Sequence, residues 1–165
     1  MKRIFCALPG ILVVSVLFGH EMVRDKASVD LGSGKVTIDY GTPKLKGRNL
    51  DEMIQPGQPW RMGMDNPTTL ETTVALDFGN NKKLPPGKYT LFARADENKN
   101  WTLLVSSATA GRLDPATVVV QAPLHFMKED KPVEVLKITL EKTGNSASLL
   151  VAWGTYRLHG SFKAA

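Results

Sequence analysis

The sequence predicts an all-β domain, an antiparallel, jelly-roll-like β-sandwich with one long ordered loop excursion. Three observations carry that expectation. Apolar residues recur at period two, not 3.6, from Ala27 onward. Glycine, proline and asparagine turn signals punctuate the alternating runs. Between two of those runs lies a stretch, residues 40–69, far too long for a hairpin turn, and loops of that length in a compact domain are usually functional or disordered. This one carries Leu50, Met53, Ile54 and Trp60, apolar bulk that a disordered linker would lack.

The chain of 165 residues is long enough for one domain with a hydrophobic core of its own. It opens with Lys2-Arg3 and an apolar run over residues 4–19. That run is about 16 residues, against the ~20 that span a bilayer, and fits a secretory signal peptide. Gly19 suits a cleavage site, but Leu17 two positions before it is large, so the cleavage position is open and an uncleaved anchor is the alternative. We therefore expect residues 1–19 to be a signal segment, residues 27–163 to form the folded domain, and the protein to be exported to the periplasm or beyond the cell. The only link to a membrane would be an uncleaved N-terminal segment. Cys6, the single cysteine, lies inside the apolar run, so the exported domain would hold no disulfide and no thiolate metal site.

The formal charge of +5 falls to about +3 once Lys2 and Arg3 are set aside. The remaining basic residues are scattered, without a run or interleaved aromatics, which argues against a nucleic-acid partner.

Along the domain, Val36, Ile38 and Tyr40 alternate with Lys35, Thr37 and Asp39. Leu70, Thr72, Val74, Leu76 and Phe78 continue the pattern as one expected strand. Tyr89, Leu91 and Ala93 form another, and Trp101, Leu103 and Val105 follow the polar turn at residues 96–100. Residues 133–140 and 149–153 are denser apolar runs, suited to central strands buried on both sides. Tyr156, Leu158 and Phe162 alternate with Arg157, His159 and Lys163. Turn signals stand at Gly32-Ser33-Gly34, Gly79-Asn80-Asn81, Pro85-Pro86-Gly87 and Gly144-Asn145. Helix is confined to about a turn at residues 49–54, with Asn49 as cap and Pro56 as stop, and a short start at Asp114-Pro115 that the valines 118–120 pull toward strand.

Tyr40-x-x-Pro43, Lys46-Gly47-Arg48, Trp60-Arg61-x-Gly63, Thr68-Thr69 and Leu84-Pro85-Pro86-Gly87-x-Tyr89-x-Leu91-Phe92, with Trp153-Gly154 near the end, together resemble a bacterial family, domain of unknown function 2911. The resemblance runs over about residues 27–162 and implies an exported, single-domain, β-rich protein. It brings no activity or ligand with it. The family pattern after Trp-Arg resembles Thr-Gly-Ala-Asn-Glu-Ala-Thr, where this chain has Met62-Gly63-Met64-Asp65-Asn66-Pro67-Thr68. Asp65 and Asn66 thus replace an Asn and a Glu, and would alter preference if those positions touch a ligand.

Candidate chemistry centres on the excursion, with Tyr40, Arg48, Trp60, Arg61, Asp65, Asn66 and Thr68 as expected ligand-binding residues. Arg48 and Arg61 offer planar forks of donors that match a carboxylate or phosphate. The structural alternative pairs each with a nearby carboxylate: Asp39, Asp51, Asp65 or Glu71. Trp60 could stack on a sugar or aromatic ring, or plug the core. Trp101 and Trp153 read as core. No His-x-His, His-Glu-x-x-His or Cys-x-x-Cys spacing occurs, so no metal or other cofactor is expected. A metal site would have to assemble from distant residues, with His125 and His159 as ligands. Nucleophile elbows and phosphate-binding glycine loops are missing too. The expectation is a binding or interaction module for a small anionic or polyhydroxy ligand, or for an envelope component. The alternative is a cell-envelope or glycan-directed hydrolase working through Asp65 with His125 or His159.

Overall fold

Alternation decides which side of each strand is covered. In the computed structural model, which describes residues 23–165, Val36, Ile38 and Tyr40 on strand β2 (Lys35–Gly41) are all buried, whereas Lys35, Thr37 and Asp39 between them are exposed or half-buried. Strand β1 (Arg24–Asp30) pairs antiparallel with it, and the connection turns at Gly32, whose φ of +88° is the left-handed conformation that glycine adopts freely. Strand β1 thus includes Arg24, Asp25 and Lys26, ahead of residue 27, and the expected signal segment lies outside the described residues.

Strand β3 (Thr69–Thr72) follows the excursion and pairs with β2. The single strand expected over Leu70–Phe78 is in fact two. Thr72 Oγ1 donates to the Val74 carbonyl (2.6 Å) and accepts from the Val74 amide (3.3 Å), closing a local turn that ends β3. The chain then supplies β4 (Leu76–Asp77) to a different part of the sheet, where it pairs with β5 (Lys83–Leu84). Strands β6 (Gly87–Ala95) and β7 (Trp101–Ser106) come where the alternation places them, joined by a turn in which Asp96 accepts from the Asn98 and Asn100 amides. Pro115–Thr117 is a single 3₁₀ turn capped by Asp114, and strand takes over at Val118 as the valines require.

Two long strands complete the sheet: β8 (Val118–Thr143) and β9 (Ser146–Ala164). They join at Gly144-Asn145, where only Gly144 has positive φ (+61°), as the first central residue of a type II′ hairpin turn requires. Residues 133–140 are not covered on both sides as expected. Leu136, Ile138 and Leu140 are buried, while Glu134, Val135 and Lys137 face solvent. Residues 149–153 do match the expectation of dense burial, with only Leu150 partly open.

The all-β, antiparallel architecture expected from the sequence is present, with one turn of α-helix, α1 (Leu50–Met53). The strands pair in one continuous order, β1-β2-β3-β6-β7-β8-β9-β4-β5, rather than as two separately bonded sheets. The order curls, because β8, five positions from β1 in the sheet, also packs on β1 and β2. Tyr40 marks that closure, with its hydroxyl donating to the Ile138 carbonyl (3.3 Å) and to Asp25 (3.1 Å).

Midway along, β8 leaves β9. Its register shifts between Lys128 and Val133 and again between Val133 and Lys137, so extra β8 residues arch outward opposite Gly154. Buried Arg157 fills the arch. It donates to the Gly154, Tyr156 and Lys131 carbonyls at 2.8–3.0 Å and pairs with Glu129 at 3.0 Å.

Candidate functional site

The 40–69 excursion is folded against this arch. The Leu45 amide donates to the Glu134 carbonyl (2.6 Å), the Leu136 amide to the Pro43 carbonyl (3.0 Å), and the Lys46 amide to the Glu134 carboxylate (2.9 Å). Asn49 caps α1, accepting from the Asp51 amide (3.0 Å) and donating to Glu52 (3.0 Å), a reciprocal capping arrangement. Asp51 at the start of that turn is then tied to the far strands. Tyr156 donates to it at 2.7 Å and Lys128 at 2.8 and 3.0 Å. Those two donors hold the Asp51 carboxyl below the usual aspartate range. Burial, and then the Asp51 carboxylate, push the Tyr156 phenol well above its ordinary value.

The returning limb runs beside β6 as a strand-like segment. Trp60 and Ala93 exchange both backbone hydrogen bonds (2.7 and 2.9 Å), and the Gly57 amide donates to the Ala95 carbonyl (2.7 Å). The two limbs cross at a neck where glycine is required for space. A Cβ on Gly41 would overlap the Met64 backbone, and one on Gly63 would lie 2.7 Å from Thr68 Oγ1. Arg24 fastens the neck from outside, donating to the Asn66 and Pro67 carbonyls (3.2 and 3.1 Å) and to Asp39 (2.6 Å).

Inside the excursion lies a cavity of about 280 Å³. Arg48, Arg61, Gln55, Gln58, Trp60 and Trp153 are among its walls. Trp60 is half-buried and stacks on Trp153, with ring centres 6.1 Å apart and planes 6° from parallel. It also meets Trp101 edge-on at 6.3 Å. The Trp60 ring thus joins the aromatic core and also lines the cavity. Arg48 lies over Trp153, its guanidinium carbon 5.7 Å from the ring centre. Its Nε and Nη2 donate to the Leu45 and Lys44 carbonyls, which holds the fork in place without neutralising it. Arg61 makes one long bond, to the Asp65 carbonyl at 3.4 Å.

None of the carboxylates expected as partners pairs with these arginines. Asp39 binds Arg24 and Lys26, and Asp51 binds Lys128. Among the described residues neither Arg48 nor Arg61 forms an ion pair, and no acidic residue lines the cavity. Trp153 itself is buried, as its strand pattern predicts. Trp153 Nε1 is the only buried side-chain polar atom among the described residues that has no hydrogen-bond partner.

Of the seven expected site residues, Arg48, Trp60 and Arg61 come together around this cavity. Tyr40 and Thr68 are buried in the frame instead. The Tyr40 hydroxyl is taken up by Asp25 and Ile138, and the Thr68 hydroxyl donates to the Met62 carbonyl (3.0 Å). Asp65 and Asn66 are exposed and stand outside the cavity walls, where they offer backbone carbonyls to Arg61 and Arg24. His125 and His159 line a separate depression that Asp65 does not reach. Gln55, Gln58 and Trp153 are wall residues that sequence reasoning missed. The two glutamines carried no motif, and Trp153 sat in a strand pattern that explained it as core.

Fold and cavity define an all-β domain with a donor-rich, tryptophan-floored cleft built on one folded excursion. The chain belongs to the family described as "Protein of unknown function (DUF2911)", which matches residues 23–162. No curated protein and no solved structure matches it.

Proposed function

We propose that this protein is an exported binding module, and that the excursion's cavity takes a small anionic or polyhydroxy ligand. The observation that carries this reading is that two arginines wall one cavity whose lining holds no carboxylate, and neither arginine forms an ion pair among the described residues. The unneutralised Arg48 fork, held by two backbone carbonyls, is pre-organised for an acceptor-rich guest, and Arg61 adds a second fork to the same cavity, each able to make two charge-assisted hydrogen bonds. The exposed part of Trp60 offers a ring for a sugar or planar acid to stack on. A cavity of about 280 Å³ lies at the small end of ligand sites, which suits a single ring better than a polymer. A hydrolase working through Asp65 and a histidine has no shared cavity to support it. Export to the periplasm or cell exterior rests on the basic start and short apolar run of residues 1–19, and cell fractionation tests it.

The binding test is thermal scanning of the purified protein against uronic acids, neutral sugars, dicarboxylates, phosphate and sulfate, because a ligand that binds only the native state raises its apparent stability. We expect an acidic or polyhydroxy compound to raise the melting temperature. Arg61→Lys keeps the charge but loses the fork. It should weaken that response about tenfold, a cost of roughly 1.4 kcal/mol, while leaving the unliganded melting temperature within about 2 °C. A large stability loss with an unchanged ligand response would make Arg61 a structural residue and remove the basis of the proposal.

A further inference from the structure

We propose that His125 and His159 form a two-imidazole site for an exchangeable divalent transition-metal ion of the zinc, copper or nickel class. The site is independent of the arginine-walled cavity and of the ligand proposed for it. The two histidines are direct partners in the β8–β9 register. Directly opposed residues of an antiparallel pair project from the same face with Cβ atoms about 4.5–5.5 Å apart. Two imidazoles rooted at that spacing can converge on one ion at roughly 2.0–2.1 Å per nitrogen.

Their place in the ladder adds the rest. His125 and His159 are its outermost pair. The next β8 residue, Leu124, pairs with Trp101 of β7, while β9 goes on to pair Lys163 with Asp77 of β4. The strands part just beyond the histidines, and a depression of about 490 Å³ opens there between Pro123, Ser161 and Phe78, with both imidazoles in its wall. Its lining holds no ammonium, guanidinium or carboxylate, so no charged group in the depression repels a cation or ties up an imidazole. Among the described residues no three histidine, cysteine or acidic side chains cluster as a complete metal cage. Two protein ligands would leave the ion's remaining positions to water or a small anion, for which the depression has room. Imidazole without carboxylate favours zinc, copper or nickel over magnesium or calcium. Binding through two ligands should be weak enough to exchange.

The test is titration calorimetry of the full chain, free of any affinity tag, with zinc and with nickel chloride, alongside NMR of the histidine ring protons. We expect one ion per chain and joint movement of the His125 and His159 signals. His125→Asn and His159→Asn should each weaken binding at least about tenfold without lowering the metal-free melting temperature, and His20→Asn should leave it unchanged. Absence of binding, movement of only one ring, or affinity that survives His125→Asn or vanishes in His20→Asn would each overturn the proposal. The NMR arm on the unaltered chain decides the matter if a variant fails to fold.

Discussion

Asp51 shows how single residues secure the site. It is an exposed carboxylate, yet it joins α1 to both long strands through Lys128 and Tyr156. Its folded-state value is depressed, so its stabilising effect is present above the unfolded aspartate value of about 3.9 and fades as pH falls through the lower folded value. We expect Lys128→Met to raise the Asp51 titration midpoint, measured by carboxyl NMR, and to bring acid unfolding to higher pH. Tyr156 works in the opposite sense. Its folded-state value is raised, so stability is intact below about pH 10 and declines above it, where the unfolded chain ionises the phenol before the folded one does. Ultraviolet titration of Tyr156→Phe should lack the most alkaline phenol step seen in the parent protein. Neither residue stood out in the sequence, because the partners are far apart in the chain, with Asp51 and Tyr156 separated by 105 positions.

Among elements, the excursion was the most legible, and its neck the least. Its length and its four apolar residues announced an ordered loop, although Met53 stays exposed while Leu50 and Ile54 are buried. Nothing local in Gly41 or Gly63 says that two limbs will cross there, because close approach is a property of the folded path. Gly41→Ala tests the crossing. The added methyl would press on the Met64 carbonyl, amide and side chain together. The overpacking should cost roughly 2–3 kcal/mol and lower the melting temperature by roughly 4–12 °C in a chain of this size. It should also reduce ligand response, because Met64 and Arg61 share the displaced limb. Strand assignments were legible wherever alternation met a glycine or proline turn. They failed at Thr72-Thr73-Val74, where strand-favouring residues form a turn through a threonine hydroxyl. Residues 129–132, polar and proline-containing, carried no strand signal, yet they form the arch of one long strand.

Over the whole molecule, the all-β class followed from the period alone, whereas strand order did not, since alternation says which face is covered and not which neighbour covers it. The sheet's far edge shows the difference. Strands β4 and β5 are two residues each, and β9 pairs with β4, with Phe162 packed on Phe78 at 5.4 Å. Phe162→Ala should cost about 3–5 kcal/mol, readable as a melting temperature lower by roughly 6–20 °C, and should speed amide exchange in β4 and β5 before the rest of the sheet. The same arrangement bears on how the chain matures. Domains tend to fold as units while they are synthesised from the N-terminal end. Here β4 and β5 leave the ribosome about eighty residues before the strand that covers them, and pairing over such separations is slow. A chain built this way stays unlatched until its last strand is free, so the export proposed for it would meet an open polypeptide rather than a closed domain.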